Sequence, residues 1–266
     1  MDATPSPVRL EKRGEIALLT LARPQARNAL STLALTALGQ ALDAIAADTS
    51  LRAVVLTAQG PVFSSGHDLK EITAARAAPD KGRAFFEATM ARCSMVMQQI
   101  VALPQPVIAA VEGAATAAGC QLVASCDLAV AGDGARFCTP GVNIGLFCST
   151  PMVALSRNVA RKHAMEMLLG GDMIDAETAL RFGLVNRVVP AGAAEAQALD
   201  WAARIAAKSA VAVRHGKRAF YEQADMPLAQ AYAHASRVMT ENLLAAEAAE
   251  GIGAFVEKRP PQWERG

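Results

Sequence analysis

Apolar and polar positions along the chain follow first the period of strands and then that of helices. Residues 7–21 predict two strands joined by a glycine turn. A helix is predicted for Leu33–Ala47, where leucine and isoleucine recur at spacings of three and four. The continuous apolar run at 52–58 is typical of a strand buried on both faces of a parallel sheet. Strands that alternate with helices in this way predict an α/β architecture.

The stretch Pro104–Asp127 combines a strand, a glycine turn and a helix start. Its apolar run Val107–Val111 has strand length, very small residues follow at Ala114–Gly119, and a short helical pattern ends before Asp127. The first N–H groups of such a helix have no partner within it, and small side chains let a ligand approach them closely. The pattern predicts a site where backbone amides hold a developing negative charge. Tight packing of a helix on a sheet would need the same small residues.

The segment 63–72, FSSGHDLKEI, repeats that order of strand, glycine turn and helix start. Asp68 and Glu71 have the spacing of a capping box at the start of its helix. Later patterns predict helices at Arg83–Leu103, 150–169 and Ala176–Phe182, and strands at Asp127–Ala131, Ala135–Cys138 and Val185–Val189.

Beyond residue 191 the pattern becomes entirely helical. One face of a long helix carries apolar side chains, at Leu228, Tyr232, Ala235, Met239 and Leu243. A helical region after an α/β core often packs on another domain or subunit. We therefore divide the chain into an α/β core at 1–195 and a helical oligomerisation region at 196–266.

Composition and charge exclude several classes of protein. Hydrophobic residues make up 52% of the 266 positions and charged residues 19%, which is typical of a globular protein. A net charge of +1 gives no electrostatic basis for binding nucleic acid. No apolar run reaches the roughly 18–20 residues of a membrane span, and the N-terminal stretch lacks a signal-peptide pattern. The five cysteines have no CxxC spacing, so we expect reduced thiols in a cytoplasmic protein and no metal site.

Six segments together resemble the enoyl-CoA hydratase/isomerase, or crotonase, superfamily over nearly the whole chain. They are RPQARNALS (23–31), FSSGHDLKEI (63–72), PVIAAVEGAATAAGCQLVASCD (106–127), FCTPGVNIGLF (137–147), GDMIDAETALRFGLVNRVV (171–189) and FVEKRPPQW (255–263). The resemblance implies a spiral of ββα units and a C-terminal helical region that builds a homotrimer, often paired into a hexamer. It also implies an acyl-CoA thioester as ligand, with no cofactor apart from the coenzyme A of the substrate.

By match to these motifs, two backbone N–H groups form an oxyanion hole for the thioester oxygen. One belongs to His67 and the other to Ala118, at the start of the short helix. The loop 27–30 and the segment 65–69 resemble the walls that hold the nucleotide end of coenzyme A. The implied substrate-binding residues also include Lys258, which would contact a phosphate within one chain or across a subunit boundary. The full set is Arg27, Ala29, Ser65, Gly66, Asp68, Leu69, Gly119, Pro140 and Lys258.

The chain departs from the family pattern at both positions where hydratases carry a catalytic glutamate. The first position is Gln121 and the second is Gly141. An amide cannot accept a proton from the catalytic water, and glycine has no side chain. We therefore expect inefficient hydration and isomerisation. The side chain of His67 either acts as a catalytic imidazole or fixes a loop or the nucleotide.

Three functions are compatible with this sequence. The first is an enzyme that stabilises the enolate of an acyl-CoA thioester without a protein carboxylate, as in a decarboxylation. The second is a non-catalytic acyl-CoA-binding protein, and the third is an assembly role for the helical region. The small-residue turn favours the first function, whereas Gln121 and Gly141 favour the second.

Overall fold

Ten strands among the described residues form two sheets. The structure is a computed structural model that describes residues 6–263. The strands are β1 (Val8–Arg13), β2 (Ile16–Leu21), β3 (Ala53–Ala58), β4 (Val62–Ser64), β5 (Val107–Val111), β6 (Ala114–Thr116), β7 (Leu128–Gly132), β8 (Arg136–Cys138), β9 (Ile174–Asp175) and β10 (Arg187–Val189). Residues 1–5 and 264–266 lie outside the described part, so the outer ends of the two predicted regions and the start of the N-terminal stretch lie outside it too.

The larger sheet has six strands in the order β1-β2-β3-β5-β7-β10, and the smaller sheet has four in the order β4-β6-β8-β9. In the larger sheet only the hairpin β1–β2 is antiparallel, and every other neighbouring pair is parallel. All residues of β5 are buried, as expected for a central parallel strand covered on both faces. The predicted α/β class is confirmed.

Eleven helices are described. They are α1 (Thr32–Ala47), α2 (Leu69–Ala75), α3 (Arg83–Ala102), α4 (Ala118–Ser125), α5 (Ser149–Asn158), α6 (Arg161–Gly170), α7 (Ala176–Phe182), α8 (Ala194–Ala206), α9 (Ala210–Gln223), α10 (Leu228–Leu244) and α11 (Ala246–Val256). Short 3-10 turns also occur at Pro24–Ala26 and Pro140–Ile144.

The hydrophobic core lies on both faces of the larger sheet. On one face α8 covers the strands with three fully buried alanines, Ala194, Ala198 and Ala202. On the other face α1, α3 and α4 contribute larger aliphatic side chains such as Leu38, Ile100 and Leu122. This second layer carries α4 and therefore positions the predicted oxyanion turn.

The helix predicted over 150–169 is two helices, α5 and α6, separated by two non-helical residues. The side-chain amide of Asn158 donates to the carbonyl of Ala124 at 2.8 Å and ties the end of α5 to α4. Periodicity alone does not show this break, because the apolar spacing continues across it. The strand predicted at Val185–Val189 begins only at Arg187.

The capping box predicted for Asp68 and Glu71 is only half right. The Asp68 carboxylate accepts the N–H of Lys70 at 3.0 Å and caps α2. The Glu71 carboxylate instead accepts the N–H of Thr32 at 2.8 Å, so it joins α2 to the first turn of α1. A tertiary contact has replaced the local one.

The predicted boundary between residues 195 and 196 falls inside α8. Since α8 packs on the larger sheet, the helices that lie beyond the sheet begin with α9. The division into a core and an oligomerisation region stays a prediction.

Candidate active site

Two strand–turn–helix units, β4 to α2 and β6 to α4, touch at their glycines. A Cβ placed on Gly66 would lie 2.9 Å from the Cβ of Ala117 and 3.2 Å from the amide nitrogen of Ala118. A Cβ on Gly119 would lie only 2.4 Å from the carbonyl oxygen of Ser64. Both approaches are closer than real side chains allow, so glycine is required at both positions. The two turns that the sequence predicts separately therefore form one site.

The amide of Ala118 has no hydrogen-bond partner among the described residues at the start of α4, where the preceding residue adopts an unusual backbone conformation. Ala117 has φ 50° and ψ −118°, a combination that costs a residue with a side chain about 1–3 kcal/mol. Hydrogen bonds hold it there: its N–H donates to Cys138 O at 2.9 Å, and its carbonyl accepts the N–H of Gln121 at 3.0 Å. Within residues 6–263, the N–H groups of Ala118 and His67 donate to no protein acceptor. Neither amide is therefore paired with a protein acceptor in this part of the chain.

The loop at residues 27–30 is fixed against the first of these turns. Its Leu30 N–H donates to Gly66 O at 2.8 Å, and the Ser65 N–H donates to Arg27 O at 3.0 Å. Ala29 lies between these contacts and is buried. The structure thus brings together Arg27, Ala29, Ser65 and Gly66 from the predicted binding set.

Asn28 organises this loop, and the sequence analysis missed it. Its backbone is left-handed, with φ 49°, and its side chain is buried. The side-chain amide donates to Gln59 O at 2.9 Å and to Val62 O at 2.8 Å, while its oxygen accepts the N–H of Arg23 at 2.9 Å. Asparagine tolerates the left-handed region better than most residues, and this preference was the available signal.

The imidazole of His67 is buried without a hydrogen-bond partner. Neither ring nitrogen bonds to any described residue. Burial lowers the pKa of His67 because it disfavours the charged ring, while the nearby backbone of Leu30 and the carboxylate of Glu71 oppose the shift; the Leu30 contact falls short of hydrogen-bond geometry. The ring therefore fixes no loop through a hydrogen bond within the described part, and its catalytic role stays a prediction.

Gln121 lies inside α4 with 4% of its surface exposed. Its side-chain oxygen faces the thiol of Cys93 on α3, with Sγ and Oε1 3.9 Å apart. Its NH₂ group donates to no other described residue. The position that the resemblance assigns to a glutamate therefore presents a hydrogen-bond donor, which can orient a ligand but cannot take up a proton.

Gly141 is buried under the segment that leads into α5. A Cβ on this residue would lie 2.9 Å from the Sγ atom of Cys148 and 3.1 Å from the carbonyl oxygen of Leu146. The space that a second glutamate would need next to the backbone is therefore already filled.

The remaining predicted binding residues lie on three different parts of the fold. Asp68 caps α2, and the side chain of the next residue, Leu69, is 52% exposed. Pro140 opens the 3-10 turn that contains Gly141. Lys258 follows α11, which packs on α9 and α10.

The cysteines near the site are buried thiols. Burial raises the pKa of Cys93 and of Cys138 to about 11, and it also raises the pKa of Cys120, Cys126 and Cys148. Since the thiolate is the reactive form, these groups are poor nucleophiles at neutral pH. In residues 6–263 no cluster of histidine, cysteine and carboxylate side chains is arranged to hold a metal ion, and no helix is long and apolar enough to cross a membrane.

Comparison with known proteins agrees with this geometry. The sequence profile described as enoyl-CoA hydratase/isomerase matches residues 11–266. The chain belongs to the enoyl-CoA hydratase/isomerase family. It is 49% identical over 245 residues to the enoyl-CoA hydratase domain-containing protein 3, mitochondrial, of Rattus norvegicus, covering 92% of this chain and 80% of the relative.

Solved structures of the family have the same fold. The crystal structure of an enoyl-CoA hydratase of Mycobacterium smegmatis superimposes with a TM-score of 0.92 at 50% identity, covering 97% of this chain and 98% of that one. The human enoyl-CoA hydratase domain-containing protein 3 gives a TM-score of 0.91 at 45% identity, covering 97% of this chain and 100% of the other. The crotonase-like fold that the motifs implied is therefore confirmed.

Proposed function

We propose that this member of the enoyl-CoA hydratase/isomerase family binds an acyl-CoA thioester and stabilises the enolate of its acyl group. The N–H groups of His67 and Ala118 would donate to the thioester oxygen. The observation that carries the proposal is the contact between the two turns, in which a Cβ on Gly66 would reach within 3.2 Å of the Ala118 nitrogen. This contact places the His67 and Ala118 amides, which have no acceptor among the described residues, close to each other.

Such a site stabilises negative charge on the ligand and does not itself transfer protons. Negative charge moves onto the thioester oxygen when the enolate forms, and fixed N–H groups stabilise it without having to reorganise. Removing one oxyanion donor typically costs about 3–4 kcal/mol of transition-state stabilisation. The N-terminal dipole of α4 adds to the effect at Ala118.

The residues at the two positions where a glutamate is expected, Gln121 and Gly141, support a reaction that needs no protein base. In a decarboxylation the electron pair of the breaking carbon–carbon bond moves into the enolate, carbon dioxide leaves, and the α-carbon later takes a proton from water. The donor group of Gln121 could hold an oxygen of the departing carboxylate. Hydration would be slow, because neither Gln121 nor Gly141 can activate water.

Non-catalytic binding of acyl-CoA is the second candidate. The crowding of Gly141 by Cys148 favours it, because the second catalytic position is filled and not merely vacant. A protein of this kind would hold the thioester in the same oxyanion hole and release it unchanged.

The remaining expectations are part of the same proposal. The loop 27–30, Ser65–Leu69, Gly119 and Pro140 would line the coenzyme A site. Large apolar side chains are exposed on the C-terminal helices, including Leu228 at 75%, Leu244 at 82% and Phe255 at 85%, which supports a homotrimer or hexamer. Assembly would give Lys258 a route to a phosphate of a neighbouring subunit's ligand. We further propose a cytoplasmic protein with buried reduced cysteines and no separate cofactor.

A panel of acyl-CoA thioesters, with and without a carboxyl group on the acyl chain, tests this function. Calorimetry should show acyl-CoA binding more tightly than free coenzyme A, and mass spectrometry should show loss of carbon dioxide from a carboxylated member. Binding without any product would favour the non-catalytic candidate. Failure to bind any acyl-CoA would refute both candidates, and rapid loss of the absorbance of crotonyl-CoA would refute the expectation of slow hydration.

A further inference from the structure

A buried charged network joins the C-terminal helices to the end of α4. The ammonium group of Lys217, on α9, donates to Asp127 Oδ2 at 2.7 Å and to the carbonyls of Ile100 and Gln105, both at 3.1 Å. The hydroxyl of Tyr221, one turn further along α9, donates to the other oxygen of Asp127 at 2.9 Å. Only 7% of the Lys217 side chain and 15% of the Asp127 side chain are exposed.

The ammonium group of Lys217 has its full number of hydrogen bonds. All three N–H groups of Lys217 have an acceptor. Burial lowers the pKa of Lys217, while the carboxylate of Asp127 opposes that shift. A buried ion pair with all its hydrogen bonds fixes its partners in one arrangement, because removing one member leaves the other charge unpaired.

Asp127 lies two residues beyond α4 and holds more than the lysine. Its Oδ2 atom also accepts the N–H of Val107, the first residue of β5, at 2.7 Å. The carboxylate therefore connects the end of α4, the start of β5 and the face of α9. Asp127 and Lys217 lie 90 positions apart in the sequence.

α4 is a short, fully buried helix with the Ala118 amide at its other end. Its eight residues span about 12 Å at 1.5 Å per residue. At the first end the backbone of Ala117 is strained, and strain of this kind persists only where the surrounding structure holds it. A small shift of α4 along its axis would relax the backbone of Ala117 and turn the Ala118 N–H away from a ligand. Contacts that fix the far end of α4 oppose such a shift.

We propose that Asp127, Lys217 and Tyr221 are positioning residues for the oxyanion hole, because they hold α4 so that the Ala118 N–H faces the thioester oxygen. The inference rests on the proposed function of that amide. It makes the docking of α9 on the core a condition for polarising the ligand. The bond from Asn158 to Ala124 O also joins this end of α4 to α5, so we expect α4 to stay folded, but to be held less tightly, when the network is weakened.

The test uses cinnamoyl-CoA, whose conjugated thioester absorbs at longer wavelength when its carbonyl is polarised. The variants are Tyr221→Phe, which removes one hydrogen bond and keeps the ion pair, and Lys217→Met, which removes the charge. Arg218→Ala is the matched control, because Arg218 lies on the same helix, is 77% exposed and pairs with Glu222 instead. Affinity for free coenzyme A, which has no thioester carbonyl, is measured alongside.

Both variants should show a smaller red shift than the wild-type protein. Their affinity for cinnamoyl-CoA should fall roughly threefold to tenfold, the worth of one weakened hydrogen bond, while their affinity for free coenzyme A stays unchanged. The control should match the wild-type protein in all three measurements.

A folded Tyr221→Phe variant with the full wild-type red shift would overturn the inference, and would show that the network only docks α9. If Lys217→Met does not fold, Tyr221→Phe decides the question alone. Absence of any red shift in the wild-type protein would instead refute the proposed function, so the two failures are distinguishable.

Discussion

The Sγ atom of Cys148 lies only 2.9 Å from the place that a Cβ atom on Gly141 would occupy. The amide nitrogen of Cys148 is also only 3.2 Å from that point. The position to which the resemblance assigns a second glutamate is thus crowded by a thiol and by backbone. The consequence is that a carboxylate cannot be restored there by one substitution.

We predict that Gly141→Glu does not create hydratase activity. The new side chain must displace the backbone around Leu146 and Cys148, which should destabilise the protein by about 1–3 kcal/mol, as overpacking usually does. Crotonyl-CoA hydration and urea unfolding measure the two effects. Gly134→Glu is the control, because a Cβ on Gly134 meets nothing within 4 Å. Efficient hydration by Gly141→Glu would show that the segment after Gly141 is free to move.

Gln121→Glu should raise crotonyl-CoA hydration. The change keeps the size of the side chain and adds one group able to exchange a proton, and general acid–base catalysis is typically worth about 10²–10⁴-fold. With the second carboxylate still absent, we expect an increase near the lower end of that range. Gln98→Glu, on the exposed face of α3, is the control for added charge. An unchanged rate would place Gln121 outside the reacting centre.

Gly119→Ala should weaken the site without a chemical change to any polar group. The added methyl group would lie 2.4 Å from the carbonyl oxygen of Ser64, so the two turns must separate. A displacement of about 1 Å at a reacting centre can cost roughly 10²-fold in rate. The carbonyl red shift of bound cinnamoyl-CoA should therefore shrink. Gly253→Ala is the control, because a Cβ on this residue of α11 meets nothing within 4 Å. This variant should bind cinnamoyl-CoA and give the same red shift as the wild-type protein.

His67 should make the stability of the protein depend on pH below neutrality. Its pKa is lowered in the folded state from an unfolded value near 6.5, so the unfolded chain binds the proton first as the pH falls. Its contribution to stability is complete above about pH 6.5 and is lost as the pH falls from there towards the folded pKa.

Urea unfolding at several pH values measures this contribution. Wild-type protein should lose stability as the pH falls from about 6.5 towards the lower folded pKa, and His67→Gln should lose less. His163→Gln, at a half-exposed histidine beside Glu166, is the matched control. Equal slopes for the wild-type and His67→Gln proteins would contradict the burial of this ring.

The sequence predicted the local features of the site well. The strand Val107–Val111 and the helix that follows the small residues were confirmed, because each depends on neighbours within one segment. The strand β6 was not predicted, since Ala114–Thr116 are too small to show an alternating pattern and depend on pairing with β4 and β8.

Contacts between distant segments could not be predicted in the same way. The bond from Glu71 to Thr32 replaced a local cap, and nothing near Asp127 in sequence indicates Lys217 as its partner. The crowding of Gly141 is also a property of the folded chain. The resemblance to the family indicated the amides of His67 and Ala118, whereas the contacts around them could be described only from the fold.

The carbonyl stretching frequency of a bound acyl-CoA, labelled with carbon-13 at the thioester carbon, tests the central claim most directly. Two N–H donors on the oxygen weaken the carbonyl bond, so infrared difference spectra should show the labelled band at lower frequency in the complex than in free solution. Gly119→Ala should reverse most of that change. A bound ligand whose labelled band keeps its solution frequency would contradict an oxyanion hole at His67 and Ala118.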